Sequence, residues 1–174
     1  DFNGFQQEGF GPYQVTIRNG ERWSAARGYL HPALKRPNLT CLVATRTSRI
    51  VIENGRAVGV EVIDANKQRR TIYADAEVSL AAGAVQSPHI LQLSGVGPAA
   101  LLREHGIDVV ADAPEVGENL QDHYQARVIV RLKEKMSLND QVRNPLELAK
   151  MGLQWLLQDR GPLTVGAGQV GGFG

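Results

Sequence analysis

Two stretches of this chain place chemistry-bearing residues at informative spacing. The first is Glu77-Val78-Ser79-Leu80-Ala81-Ala82-Gly83-Ala84-Val85-Gln86-Ser87-Pro88-His89-Ile90. Residues 77–80 predict a short buried strand that ends in small residues. The run Ala81-Ala82-Gly83-Ala84 then presents no side chain bulky enough to keep a ligand away. A helix is predicted beyond it, with Ile90, Leu91 and Leu93 on its apolar side and a break at Ser94-Gly95. The start of such a helix favours a negative group, because its first N–H groups have no partners inside the helix. The chemistry expected here is nucleotide or anion binding in an α/β domain. Tight helix–strand packing is the competing explanation for Gly83.

The second stretch is Asp122-His123, a carboxylate beside an imidazole, which is a common acid–base pairing. Adjacent residues of a strand point to opposite faces, so the pair reads as structural and hydrogen-bonded, with no direct proton-transfer couple. The other histidines, His31, His89 and His105, lie in or beside predicted helices without a ligand-spaced partner. No His-Glu-x-x-His or Gly-x-Ser-x-Gly pattern occurs, so no metal site is expected. Gly166-Ala167-Gly168-Gln169-Val170-Gly171 does fit Gly-x-Gly-x-x-Gly. That pattern needs a strand before it and a helix after it, whereas here Leu163-Thr164-Val165 is the only apolar run ahead.

The elements that must position these residues are legible in outline. Asn19-Gly20 follows the alternating Val15 and Ile17 and predicts a hairpin turn. Ser24 is suited to cap a helix through Tyr29 and Leu30, with Pro32 kinking it. Strands are expected over 39–43, 49–53, 57–63, 70–73 and 77–80, with turns at Asn54-Gly55 and at 64–67. Four or five strands at this spacing suggest an antiparallel meander. Helix 99–105 should end at Gly106 with Ile107 as its hydrophobic contact, followed by short strands over 108–111 and 126–132. Asn144, Pro145 and Glu147 predict the start of a helix carrying Leu146, Ala149, Leu153, Leu156 and Leu157 on one side, stopped by Gly161-Pro162.

Composition excludes several classes. The 174 residues carry 19 basic and 18 acidic side chains, a net charge of +1, and show no basic stripe for nucleic acid. The 43% of hydrophobic residues suffices for a core. Cys41 is the only cysteine, which rules out an internal disulfide and fits a reducing, cytoplasmic setting. No apolar run reaches membrane-spanning length. The chain begins at Asp1 without a signal-peptide pattern and ends inside a glycine-rich run, so it reads as an internal piece of a longer protein.

Gly83-Ala84, Ser87-Pro88, Ile90-Leu91 and Ser94-Gly95-Val96-Gly97 together resemble the second signature of the glucose–methanol–choline (GMC) family of flavin oxidoreductases. Further family-like blocks are Asn3-Gly4 with Gln7 and Gly9, Arg27-Gly28-Tyr29-Leu30, Arg36-Pro37-Asn38-Leu39, Arg56-Ala57-Val58-Gly59-Val60-Glu61, and Val116-Gly117-Glu118-Asn119-Leu120-Gln121-Asp122-His123. The opening Gln6-Gln7-Glu8-Gly9-Phe10-Gly11-Pro12 is similar to that of members that oxidise choline.

The resemblance implies an α/β fold: part of an FAD/NAD(P)-binding-type domain with a β-meander, plus pieces of an α+β substrate-binding domain. It places residues 24–124 in the FAD-binding part, and 1–23 and 125–174 in substrate-lobe segments. It implies FAD as cofactor, with Thr47 near the adenine and Ala82, Gly83 and Ala84 against the flank of the cofactor. For Thr47 an ordinary pre-strand role is the alternative. Activity would be hydride transfer from a small primary alcohol such as choline, or another alcohol, to the flavin. Asp122 and His123 would border the flavin, and 166–171 would form a loop near the substrate pocket. The phosphate-binding motif and the catalytic histidine would lie elsewhere in the parent chain. Two other readings remain open: a fragment inert on its own, and an NAD-binding domain built on 166–171.

Overall fold

The computed structural model of the chain describes residues 4–126, 129, 131, 133, 134, 137–164 and 170–173. In chain order the strands are β1 (Gly9–Pro12), β2 (Ile17–Arg18), β3 (Glu21–Arg22), β4 (Arg46–Glu53), β5 (Arg56–Ile63), β6 (Arg69–Tyr73), β7 (Val96–Gly97), β8 (Ala111–Asp112) and β9 (Val170–Phe173). The α-helices are α1 (His31–Ala33), α2 (Gly83–Leu93), α3 (Ala99–Glu104), α4 (Leu138–Val142) and α5 (Pro145–Gln158). A π-helical turn, Ala26–Leu30, runs directly into α1. The elements gather into two compact units. One is Cys41–Ala126; the other joins the segment up to Thr40 to the segment from Arg127 onward.

In the 41–126 unit, β4, β5 and β6 form an antiparallel meander in that order. Asn54 and Gly55, at φ 51° and 76°, make the tight turn between β4 and β5 that a right-twisted hairpin prefers. The next turn is held by Asp64, whose Oδ1 accepts from Asn66 N at 2.8 Å and Gln68 N at 3.0 Å. Pairing of Thr47 with Val62 and of Ile50 with Val60 puts these residues on one face of the sheet. That face supplies buried Ile50 and Val62, and β4 lies against α2, whose Ile90 is also buried.

The join between β4 and α2 is polar at its centre. Ser94, the C-cap of α2, is 8% exposed, and its Oγ accepts from Ile50 N at 2.8 Å while donating to Ile90 O at 2.5 Å. Gly95 follows at φ +85°, and a Cβ there would collide with the carbonyl of Asp108 and with Val110. The close approach lets Gly95 O accept from Val110 N at 2.8 Å, after which β7 and β8 pair in parallel. Helix α3 ends as its sequence predicts. Ile107 N donates to Leu102 O at 2.9 Å and Gly106 N to Arg103 O at 3.0 Å, around Gly106 at φ +67° and fully buried Leu102.

In the second unit, Asn19 and Gly20 (φ 51° and 69°) turn β2 into β3, as expected from their type. Arg18 lies over the Trp23 ring at 5.0 Å, and Arg27 pairs with Glu21. Ser24 Oγ accepts from Arg27 N at 3.3 Å, the predicted capping contact. Helix α5 starts at Pro145 under Asn144, whose Oδ1 accepts from Leu146 N at 3.0 Å. Gly20 fits against the backbone of Asp159, where α5 ends.

Several expectations are corrected. Residues 77–80 and 39–43 have no regular structure and lie in no ladder, because among the described residues no neighbouring strand takes their N–H and C=O groups. The strand expected at 49–53 begins at Arg46, and the one at 108–111 shrinks to Ala111–Asp112. Helix α5 stops at Asp159, in the left-handed conformation at φ 52°, ahead of Gly161-Pro162. Short α4 was not expected; Ser137 and Asp140 form a capping box at its start. The strand expected at 126–132 lies largely outside the described residues.

Replacing Ser94 by Ala strands the buried Ile50 N–H, at a cost of about 1–3 kcal/mol. Thermal unfolding of Ser94→Ala should therefore show a lowered midpoint; an unchanged midpoint would count against this contact as the tie between β4 and α2.

Candidate functional site

The expected cofactor residues all fall in the 41–126 unit, at two places on it. Ala82, Gly83 and Ala84 form the start of α2, exposed to solvent. Ala82 stands just ahead of the helix at φ −86°, ψ 5°, and Gly83 opens it at φ +89°. Only glycine takes that conformation without strain. Nothing lies within 4 Å of where a Gly83 Cβ would stand, so the glycine serves the turn and the open space; helix–strand packing does not require it.

The first turn of α2 is closed in an unusual way. No side chain caps it and it holds no acidic residue. Instead Ser87 Oγ, from one turn further on, accepts from Ala82 N at 3.1 Å. Pro88 follows inside the helix and has no N–H to offer the carbonyl of Ala84. The N–H groups of Gly83, Ala84 and Val85 are the helix-start donors for which no preceding helical turn supplies an acceptor. They lie at an exposed helix start beside a residue without a side chain, which suits a negatively charged or carbonyl oxygen.

Thr47 sits on β4, half-buried and paired with Val62. Immediately after it the ladder shifts: Thr47 opposes Val62, but Arg49 opposes Glu61, so Ser48 is an inserted bulge residue. Ser48 Oγ lies 2.6 Å from Glu61 Oε1 and 3.1 Å from Glu61 O; its single proton goes to the nearer, charged acceptor. Arg49 Nε at 3.5 Å and Arg69 Nη1 at 2.9 Å complete the surroundings of a Glu61 side chain that is 18% exposed. The Ser48 hydrogen bond, with the charges of Arg49 and Arg69, holds the Glu61 carboxyl below its ordinary value of 4.5, against the upward push of partial burial. Nothing in the residue pattern announced this cluster. A bulge is a property of pairing, and the one available hint was a serine beside two arginines facing a glutamate on the next strand.

Asp122 and His123 lie in an exposed stretch without regular structure, not in a strand. The Asp122 carboxylate accepts from the backbone N–H of His123 at 2.8 Å. Of the Gly-x-Gly-x-x-Gly run, residues 166–169 lie outside the described residues, while Val170 and Gly171 belong to β9, paired antiparallel with β1. A dinucleotide fingerprint would need a helix at that point. Among the described residues no group of His, Cys, Asp and Glu is arranged to hold a metal ion, and no helix is long and apolar enough to cross a membrane.

Comparison with known proteins bears on the same region. A family model for GMC oxidoreductases matches residues 1–125. The oxygen-dependent choline dehydrogenase of Brucella canis is 52% identical over 157 residues, covering 90% of this chain and 28% of that protein. The mitochondrial choline dehydrogenase of Mus musculus is 46% identical over 173 residues, covering 99% of this chain and 29% of its own length. Among solved structures, an FAD-dependent oxidoreductase from Chaetomium thermophilum superposes with a TM-score of 0.76 at 30% identity, over 90% of this chain and 28% of that one. The chain thus spans little more than a quarter of the relatives it matches.

Because the Glu61 carboxyl titrates lower in the folded chain, its contribution is complete above its ordinary value of 4.5 and is lost as pH falls through the lowered folded value. Glu61→Gln should cost about 0.5–1 kcal/mol near neutral pH, less at high salt. Denaturant unfolding of both proteins should show the gap closing on acidification below 4.5. A gap that persists or widens there would exclude the charge as its source.

Proposed function

The chain belongs to the GMC oxidoreductase family, and from that premise we propose that the protein containing it is an FAD-dependent oxidoreductase of alcohol CH–OH groups, with choline as first substrate and another primary alcohol as second. The observation that carries this reading is the 52% identity to a protein named oxygen-dependent choline dehydrogenase, sustained over 90% of the chain. The start of α2 supplies the structural support: open space at Gly83 and the helix-start N–H groups beside it fit a cofactor that approaches the backbone.

In this reading Ala82, Gly83 and Ala84 lie along one flank of FAD, and Thr47 lies near its adenine. Bound FAD supplies the two-electron acceptor for a hydride leaving the alcohol carbon. The part of this chain is to bind and orient. Gly83 sets the distance of approach because it carries no side chain. The first-turn N–H groups of α2 donate to a cofactor oxygen, and their positive field favours negative charge there. The alcohol proton needs a general base within hydrogen-bond reach. None of the four histidines here is given that task; the base belongs to another part of the parent chain.

The full-length protein should show flavin absorption and reduce an artificial electron acceptor when choline is added. Absence of flavin, or failure with choline and other primary alcohols alike, would refute the reading. In the same protein, Gly83→Val should lower flavin occupancy about tenfold or more, which corresponds to about 1.4 kcal/mol. Gly83→Ala shares the strained φ with far less bulk and should lose less. Normal flavin content in Gly83→Val would show that α2 does not approach the cofactor.

A further inference from the structure

The β4 bulge decides which face of the meander Thr47 joins. In an unbroken strand, Thr47 and Arg49 would share a face, since side chains alternate with period two. The observed register separates them. Thr47 opposes Val62, on the face that carries buried Ile50 and Val62, while Arg49 opposes Glu61 on the other face. Ser48 is the inserted residue, and its side chain lies on the Glu61 side with that of Arg49. With Ser48 kept and the ladder unbroken, Ser48 would oppose Val62 and Thr47 would move to the charged outer face.

We propose that Ser48 is a positioning residue for the cofactor: clamped on Glu61, it holds the bulge that keeps Thr47 on the buried face of the meander, with Ile50 and Val62. The inference rests on the reading that Thr47 lies beside FAD, and it adds the device that puts it there. Were the insertion to slip past Thr47 towards Arg46, Thr47 would oppose Ile63 on the charged face. Ser48 removes that freedom through a 2.6 Å hydrogen bond to a carboxylate that Arg69 holds at 2.9 Å. The second bulge, where Val58 is inserted between Gly59 and Ala57, lies at the far end of the β4–β5 pair and leaves Thr47 unaffected.

The test is FAD affinity of the full-length apoprotein, followed by flavin fluorescence on reconstitution well below its unfolding temperature. Ser48→Ala should weaken FAD binding about five- to tenfold while the unfolding midpoint stays near that of the parent. Ser48→Thr keeps the hydroxyl and should restore affinity to within about twofold. Thr47→Arg tests the underlying reading, because a long cation beside the adenine must disturb binding. If Thr47→Arg weakens FAD and Ser48→Ala does not, the positioning role is wrong while the site stands. Wild-type affinity in Thr47→Arg would overturn the site and the positioning role together. A loss in Ser48→Ala that merely follows a lowered unfolding midpoint, or that Ser48→Thr fails to rescue, would also overturn the proposal.

Discussion

The 41–126 unit depends on how one buried hydroxyl is satisfied. Ser94 ends α2, where helix carbonyls lack partners, and faces β4 at Ile50, where a ladder N–H points away from its strand neighbour. One Oγ answers both needs, accepting from the strand and donating to the helix. An apolar residue there would leave the Ile50 N–H buried without a partner, since Ile90 O still accepts from Ser94 N. Gly95 then has to be a glycine, since the chain turns through φ +85° directly against the backbone of Asp108. The Ser-Gly-Val-Gly of the family signature is thus a structural joint. It fixes the C-terminal end of α2, and a rigid helix carries that constraint to its open start at Gly83.

The two ends of α2 therefore answer to different demands. At Ser94 every polar group is used internally, and the surroundings are buried. At Gly83 the helix start has no side-chain cap and is exposed, with open space where a side chain would stand, which costs local stability. Thr47 shares this division of labour. The charged cluster of Ser48, Arg49, Glu61 and Arg69 lies on the outer face, where solvent tolerates it, and its bonds hold the backbone that presents Thr47 inward. In the other unit, Leu146, Leu153, Leu156 and Leu157 of α5 fall at helical spacing yet remain 58–74% exposed, so amphipathic spacing there predicts the helix without naming what it packs against.

Local chemistry made much of the chain legible from sequence. Asn19-Gly20 and Asn54-Gly55 prescribe their turns because both residues tolerate positive φ, and Gly106 with Ile107 prescribes the end of α3. Asn144 and Pro145 prescribe the start of α5, since the cap accepts an orphan N–H and proline needs none. Gly83 was singled out because small residues at a helix start leave room for a ligand, and that room is present. Boundaries were harder wherever a partner had to be supplied. Residues 77–80 have the composition of a strand, but hydrogen-bonded pairing requires a neighbour, and none stands beside them among the described residues.

Sequence by itself thus determined the turns, caps, helix starts and family signature, all of which depend on residues within a few positions of one another. Tertiary structure decided the register of β4 against β5, and with it the face on which Thr47 stands. No residue type encodes a bulge: whether Ser48 pairs or is inserted depends on Glu61, thirteen residues away and on another strand. It also gave Ser94 its meaning, for the hydroxyl that a sequence shows as a helix break is, in space, the acceptor for a strand forty-four residues earlier.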